Sequence, residues 1–272
     1  MASTTRDVFR EFDTLTGFVD RAELVPYHST MAGTGWVGGV GTFDQAVGLA
    51  RSGWSDVRPE VDAMVDCVVS QVRDAVTEVP TYCYDQVGGH LDLDAVFAGD
   101  PDFMVRYDTV TERATDQVVR LLVDTGANGG TSGDRMLKRA AAIAALVDLL
   151  VLSSRQVDLF ITSPVKYSAR SQREHNVVVH LHHAGDHLDV DGLMFALGHP
   201  AFHRFLWFSH RRQDGVGSSM GNSVDVSDQL ASRVGADMVV RRDMHRRTGC
   251  PASFDDQQGW VRWHLKELGV IV

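Results

Sequence analysis

The chain has 272 residues, of which 44% are hydrophobic and 23% charged, the composition of an ordinary globular protein. Its formal net charge of -10 disfavours broad electrostatic binding to nucleic acid, although a local basic surface remains compatible with it. The polar first ten residues carry no secretory signal, and the longest apolar stretch, residues 140–152, is too short to span a bilayer. We therefore expect a cytoplasmic protein without a membrane partner.

Cysteine usage agrees with a reducing compartment. The three cysteines are far apart in the chain and form no CxxC pair; they are Cys67, Cys83 and Cys250. An odd number of isolated cysteines favours neither a disulfide framework nor a structural zinc site.

Helical periodicity dominates the first part of the chain. Apolar residues recur at helical spacing in three segments, which are 6–18, 43–51 and 57–79. Thr42 is a predicted N-cap, and Pro80 ends the third segment. Two shorter segments are predicted as strands, 81–87 and 103–107. The sequence therefore predicts a mostly helical N-terminal region at residues 1–112.

From about residue 115, short apolar segments alternate with helical ones. The predicted strands are 118–123, 157–161, 176–182, 205–208 and 236–240. The predicted helices are 134–152, 189–197, 226–234 and 255–268. This alternation is typical of a parallel sheet with helices on both faces. We therefore expect an α/β fold whose core, residues 113–272, is a doubly wound and mainly parallel sheet.

A loop rich in Gly, Asn, Thr and Ser follows the first strand of this core. Open α/β sheets bind ligands at such strand ends, so the candidate ligand or metal residues are Asp124, Asn128, Thr131 and Ser132. The placement resembles the metal-ion-dependent adhesion site of von Willebrand A-like domains, whose loop reads Asp-x-Ser-x-Ser. Gly126 and Asn128 stand in place of the two serines, so a magnesium ion would be short of ligands there. A purely structural turn is the alternative.

Histidines are concentrated in one part of the chain. Eight of the 12 lie between His175 and His210, and the candidate metal ligands are His180, His182, Asp186 and His187. Side chains two residues apart on a strand share a face, so His180 and His182 can bind one divalent metal ion such as zinc. The His-hydrophobic-His pattern also occurs in rolling-circle nucleases, but no tyrosine follows Tyr167 to serve as their nucleophile. The alternative is a polar strand edge.

Aromatic and basic residues interleave in the segment 200–212, and a second basic cluster follows residue 240. Such side chains can stack on bases and hold phosphates. The candidate nucleic-acid or anion residues are Phe205, Trp207, Arg211, Arg241, Arg242 and Arg246. The alternative is a core element flanked by solvated charges. We hypothesise that the strand before Arg241 ends at the same rim as the Asp124 loop.

Several segments together resemble a family of uncharacterised proteins found in bacteriophages and their bacterial hosts. They are 41–46 (GTFDQA), 49–54 (LARSGW), 97–104 (FAGDPDFM), 138–148 (KRAAAIAALVD), 188–202 (LDVDGLMFALGHPAF), and 260–261 with 265 and 268–270. The resemblance implies a phage-borne or mobile-element origin and a von Willebrand A-like, Rossmann-like core. The resemblance does not point to any particular catalytic activity.

The sequence therefore predicts a non-enzymatic, phage-associated binding or structural protein that acts through protein–protein contacts, self-association included. One alternative is a metal-dependent hydrolase or nuclease that uses Asp124 or the pair His180 and His182. The other is a nucleic-acid-binding protein. No Gly-x-Ser-x-Gly nucleophile motif occurs, and we assign no catalytic residue. The expected location is the cytoplasm of a host or infected bacterium, with the virion as the alternative.

Overall fold

The computed structural model describes residues 7–73, 79–87, 89–110, 117–127, 129–168, 170–217, 220–242 and 250–271. The strands are β1 (Val8–Phe12), β2 (Val79–Asp85), β3 (His90–Leu91), β4 (Met104–Val110), β5 (Val118–Asp124), β6 (Gln156–Thr162), β7 (Val165–Lys166), β8 (Glu174–His182), β9 (Asn222–Ser223) and β10 (Met238–Val240). The helices are α1 (Leu15–Glu23), α2 (Phe43–Ser52), α3 (Arg58–Val72), α4 (Leu93–Ala98), α5 (Gly133–Leu152), α6 (Val190–Gly198), α7 (Phe208–Gln213), α8 (Asp228–Val234) and α9 (Gln257–Glu267), and a π-helical segment (Phe202–Trp207) leads directly into α7.

The large sheet mixes parallel and antiparallel neighbours. β10, β5 and β6 are parallel in that order, and β8 lies antiparallel to β6. β1 pairs in parallel with β8, while the short strands β7 and β9 add antiparallel pairs. The predicted α/β class is confirmed, but the mainly parallel sheet needs correction. Only residues 163–173 connect β6 to β8, which is too short for the crossover helix that parallel strands require.

The first described element is a strand, where the sequence predicted a helix over 6–18. β1 pairs with β8 from Val8↔His175 to Phe12↔Val179, and α1 begins only after Thr14. The Thr14 side chain accepts a hydrogen bond from the Gly17 N–H and so caps α1. Pairing with β8 therefore overrides the helical spacing of the apolar residues. The pairing also places β1, from the predicted N-terminal region 1–112, in the same sheet as strands of the predicted core 113–272.

Helices cover the two faces of the large sheet very unequally. Alternate residues of β5, β6 and β8 point into one large hydrophobic cluster, in which α5 packs against α3, α6 and α9. On the opposite face, Leu122, Phe160 and Val178 pack against Leu230 and Val234 of α8. The thick helical layer on one face contains most of the core.

The segment 205–208 is helical, so the predicted strand there is wrong. A short apolar run does not by itself distinguish a buried strand from a buried helix. His199 is extended before Pro200, α6 ends, and the chain then forms a π-helical turn over Phe202–Trp207. π-helical turns are rare in proteins, and those that do occur are often found at functional sites.

A separate three-stranded antiparallel sheet has the order β2-β4-β3. The short helix α4 lies between β3 and β4 in the chain. The two longer strands of this sheet confirm the predicted strands near 81–87 and 103–107. No helix in the described parts of the chain combines the length and apolarity needed to cross a lipid bilayer.

Asp214, which directly follows α7, contacts residues from three other elements, β1, α1 and β8. Its buried carboxylate accepts hydrogen bonds from the Arg10 guanidinium (2.5–3.1 Å), from Arg21 Nη2 (3.1 Å) and from His175 Nε2 (2.9 Å). Hydrogen bonds from His175 and Arg10 hold the pKa of the Asp214 carboxyl far below its usual range, although burial opposes them. These contacts fix α7 against β1, α1 and β8.

Asp214→Asn should destabilise the protein by about 3–5 kcal/mol, because it leaves two arginines without their buried counter-charge. Asp228→Asn is the matched control, since Asp228 pairs with Arg241 at the surface and should contribute about 1 kcal/mol or less. Urea unfolding at neutral pH measures both changes. Equal stabilities for the two variants would contradict the assigned role of Asp214.

His199, His210 and His264 are among the histidines buried within the helical layer. Burial lowers the pKa values of His199, His210 and His264 from 6.5 to about 4. Below pH 6.5 the unfolded chain binds protons at these positions that the folded chain excludes, so acid favours unfolding. Asp124 and Asp148, whose pKa values burial raises, gain stability in acid and offset part of the loss.

We expect a steep loss of stability between pH 7.5 and pH 5. Each of the three histidines costs about 2 kcal/mol at pH 5, and their total of about 6 kcal/mol is comparable with the whole stability of a typical domain. Urea unfolding at the two pH values measures the loss. It should be smaller by about 2 kcal/mol in His264→Phe and unchanged in His28→Ala, an exposed control. A pH-independent unfolding free energy would contradict neutral burial of these rings.

Candidate functional site

The candidate site lies at the carboxyl ends of β5 and β10. From β5 the chain passes through α5 to β6 on one side, and it later returns to the other side of β5 as β10. Adjacent parallel strands whose connections leave in opposite directions define a topological switch point, where open α/β sheets bind ligands. Asp124 is the last residue of β5, and Arg241 and Arg242 directly follow β10. The hypothesis that these two strand ends share one rim is confirmed by their pairing.

Asp124 is fully buried at this rim. Its Oδ1 accepts a hydrogen bond from the Gly126 N–H (2.8 Å), and its Oδ2 has no hydrogen-bond partner in the described part of the chain. Arg139 Nη2 donates to the Asp124 backbone carbonyl (2.6 Å). Burial raises the pKa of the Asp124 carboxyl, and the charges of Arg242 and Arg139 oppose that rise.

Gly126 allows a guanidinium to approach the Asp124 loop. A Cβ atom at position 126 would lie 2.8 Å from Asp124 Oδ1 and 3.0 Å from Arg242 Nη1. In the adhesion motif a serine ligand stands at this position, whereas here the glycine leaves room for Arg242. Because arginines already surround Asp124, a divalent cation would meet positive charge there.

The other predicted residues of the loop have structural contacts. The Ser132 hydroxyl caps α5 by accepting a hydrogen bond from the Arg135 N–H (3.4 Å). The Thr131 backbone carbonyl accepts a hydrogen bond from Arg204 Nη2 (3.2 Å). Asn128 lies outside the described residues. Among the described residues, the group of side chains close enough to share a metal ion does not include Asp124.

A cavity of about 550 Å³ lies beside this loop, and we call it the arginine cavity. Its walls come from the loop after β5, the π-helical segment, α7 and the turn leading into β9. The charged and aromatic residues that line it are Tyr27, Trp36, His203, Arg204, Phe208 and Arg211. The cavity thus combines cationic and aromatic side chains at the carboxyl end of the sheet.

Arg204 and Arg211 are each only 2% exposed. Arg204 Nη2 donates to the Gly129 and Thr131 carbonyls, and its guanidinium lies 4.5 Å from the Trp36 ring centroid. Arg211 donates to the Ser163 hydroxyl (2.6 Å) and to backbone carbonyls. Burial lowers the pKa of Arg204, and it lowers the pKa of Arg211 to about 9. Among the described residues, no carboxylate lies within salt-bridge distance of either guanidinium.

His203 lines the same cavity as these arginines and is neutral. Burial, together with the charges of Arg211 and Arg204, holds the pKa of its imidazole well below the usual range. Its buried Nδ1 has no hydrogen-bond partner within the described structure. A neutral imidazole in this position can donate or accept a hydrogen bond at the cavity wall.

Among the described residues that line the cavity, the charged side chains are those of Arg204 and Arg211, and none is a carboxylate. Beside the cavity, the charge of Asp124 opposes the lowering of the Arg211 pKa, and Asp225 lies 3.7 Å from Arg242 Nη2. Desolvation of an ion costs several kcal/mol unless opposite charge or hydrogen bonds offset it. The electrostatics therefore favour an anionic ligand.

The predicted nucleic-acid or anion residues are divided by the structure. Phe205 and Trp207 are buried in the hydrophobic core, where their rings pack on Phe43 and Phe18 and present no stacking surface. Arg211 lines the cavity and Arg242 lies beside it. Arg241 instead donates to the Val226 carbonyl and to Asp228 at the surface, and Arg246 lies outside the described residues.

The candidate residues chosen from the sequence do not include five of the charged and aromatic residues that line the cavity, Tyr27, Trp36, His203, Arg204 and Phe208. A signal for two of them was present, because His203, Arg204 and Arg211 are polar residues at near-helical spacing within an otherwise apolar segment. Reading that segment as a strand concealed the shared face. Trp36 comes from a glycine-rich turn far away in sequence, and no local pattern connects it to Arg204.

The predicted histidine ligands are also divided. His180 lies close to Asp158 and His183, neither of which was among the predicted ligands. His182 is buried apart from this group, and burial lowers the pKa of its ring. Asp186 and His187 are exposed and outside the group.

Comparison with known proteins gives one match over nearly the whole chain. Neither the curated proteins nor the solved structures contain a significant match to it. The profile of the family described as "Domain of unknown function (DUF7192)" matches residues 2–270. The chain therefore belongs to the DUF7192 family.

Proposed function

We propose that this protein binds a small phosphorylated molecule in the arginine cavity. The observation that carries the proposal is the burial of Arg204 and Arg211 in one cavity, without a described carboxylate within salt-bridge distance of either. Guanidinium groups bind phosphate oxygens through paired, charge-assisted hydrogen bonds. A phosphate group would supply the negative charge that their carbonyl and hydroxyl acceptors do not provide, and further acceptor oxygens beside them.

The shape and walls of the cavity suit a small molecule better than a polymer. Its volume of about 550 Å³ lies within the range of typical ligand pockets. Tyr27, Trp36 and Phe208 add aromatic surface against which a planar ring can pack. The burial of Phe205 and Trp207 removes the stacking residues on which the nucleic-acid alternative depended.

We also propose that residues 113–272 form a von Willebrand A-like core and that the family is carried by bacteriophages. Apart from the two-residue strands, β8, β6, β5 and β10 read 3-2-1-4 when numbered in chain order from β5. That order matches part of the doubly wound arrangement and supports the first proposal. The resemblance to phage proteins of segments such as 41–46, 97–104 and 188–202 supports the second.

Isothermal titration with inorganic phosphate, ribose 5-phosphate and AMP tests the ligand class, with adenosine as the uncharged probe. We expect the phosphorylated compounds to bind and adenosine not to bind. Arg204→Met should weaken binding about tenfold to hundredfold, because it removes charge-assisted hydrogen bonds of about 1.5–3 kcal/mol while keeping most of the side-chain volume.

Arg212→Met is the matched control for this titration. Arg212 is an exposed neighbour of Arg211 on α7, so its removal should leave the affinity unchanged. Circular dichroism of both variants checks that the fold is retained. Absence of binding by every phosphorylated compound at millimolar concentration, or equal binding by the two variants, would contradict the proposal.

A second function, self-association through protein–protein contacts, is supported by the small sheet and α4. Their exposed apolar side chains are Tyr84, Val87, Leu91, Leu93, Val96 and Phe97, and Phe97 is 85% exposed. β2 pairs with β4 on one edge, and its other edge has no partner among the described strands. An open edge beside apolar side chains can pair with the same strand of a second copy.

Phe97→Asp should convert a self-associating wild-type protein into a monomer, because it places a charge within the apolar surface. Leu24→Asp is the matched control, since Leu24 is 73% exposed at the end of α1, outside the small sheet. Sedimentation equilibrium over a range of protein concentrations gives the association state. A monomeric wild type at high micromolar concentration would refute self-association through this surface.

A further inference from the structure

A second cluster of polar side chains lies toward the opposite end of the large sheet from the arginine cavity. Asp158 of β6, His180 of β8 and His183 just after β8 each offer one ligand atom, and these atoms lie within 4.8 Å of one another. Asp158 pairs in register with Arg120, whereas Asp124 pairs with Thr162. Asp158 and Asp124 thus lie four residues apart along the strand direction, which corresponds to about 13 Å.

A register shift in β8 brings the cluster together. Leu159 pairs with His182 but Phe160 pairs with His180, so the ladder is irregular between Leu159 and Phe160. Such bulges redirect side chains and are common beside functional sites. The His180 ring stacks on Phe160 with a centroid distance of 4.1 Å, which holds it next to Asp158.

Hydrogen bonding fixes the tautomer of His183. Its Nε2 lies 2.9 Å from the Asp13 backbone carbonyl, which only accepts hydrogen bonds, so Nε2 carries the proton. In the neutral ring this leaves a lone pair on Nδ1. Histidine ligands in metal sites commonly donate their other N–H to a backbone carbonyl in this way.

Asp158 is similarly oriented. Its Oδ1 accepts a hydrogen bond from the Ala184 N–H (2.8 Å) and lies 3.2 Å from His180 Nε2. Its Oδ2 lies 3.5 Å from Arg120 Nε. Ligation through Oδ1 would therefore leave the ion pair with Arg120 in place.

We propose that Asp158, His180 and His183 bind one zinc-type transition-metal ion. Tetrahedral zinc with bonds of about 2.0 Å separates its ligand atoms by about 3.3 Å, close to the 3.2 Å between His180 Nε2 and Asp158 Oδ1. Two imidazoles and one carboxylate select zinc and its neighbours over magnesium and calcium, which prefer oxygen ligands alone. Three protein ligands leave the fourth position open to water or a further ligand.

The experiment is zinc titration of tag-free protein that has been stripped with chelator and dialysed. Bound metal is measured by elemental analysis, and cobalt substitution reports the geometry through visible absorption. The wild-type protein should bind one equivalent of zinc and give the intense absorption of tetrahedral cobalt. His183→Ala should lower the affinity for zinc at least tenfold, because it removes one of the three direct ligands. Since His183 follows β8 rather than lying within it, the substitution should leave the sheet intact.

His187→Ala is the matched control, since this histidine is exposed in the same turn and outside the cluster. Asp158→Asn gives a second test that keeps the side-chain shape, and it should also lose zinc. Thermal unfolding without metal verifies that both ligand variants fold. Failure of the wild type to bind zinc at equimolar concentration, or equal binding by His183→Ala and His187→Ala, would overturn the proposal.

Discussion

A guanidinium that leaves water must recover its lost hydration from hydrogen bonds or opposite charge. This requirement is met in two different ways by the arginines that pack in and around α7. At one end, Asp214 supplies a buried carboxylate that Arg10 and Arg21 share. Toward the arginine cavity, Arg211 and Arg204 are more deeply buried than Arg10 and Arg21, but among the described residues they receive only carbonyl, hydroxyl and aromatic contacts. The fold thus compensates charge where it needs stability and leaves positive charge in excess where a ligand can enter. That contrast is the basis of the proposed anion site.

Local sequence patterns predicted the elements whose stability is local. The long apolar run of α5 and the alternation of strands and helices after residue 115 gave the α/β class correctly. The direction of β8 depends instead on the length of its connection to β6, which leaves no room for a crossover helix. β1 forms because β8 offers it a parallel edge, and no periodicity within residues 8–12 could reveal that partner. The π-helical turn at Phe202–Trp207 was hidden for a related reason, since its apolar residues also fit a buried strand.

The candidate sites show the same division between local and distant information. Asp124 was recognisable as a strand-end residue, and Arg211 and Arg242 as members of basic clusters. Arg204 needed the π-helical turn to reach the cavity, and Trp36 needed tertiary packing to reach Arg204. Asp158 and His183 likewise join His180 only through strand pairing and the irregular register of β8. Residue types alone therefore pointed to the two ends of the sheet where the candidate sites lie, while the pairing of strands determines which side chains meet there.

We propose that Arg204 and Arg211 together hold a phosphate group in the arginine cavity. Crystal structures grown with and without inorganic phosphate, in otherwise identical conditions, test it most directly. We expect tetrahedral density in the cavity of the structure grown with phosphate, with oxygens within hydrogen-bond distance of both guanidinium groups. A carboxylate of the chain itself paired with these arginines, in a cavity that excludes phosphate, would contradict it.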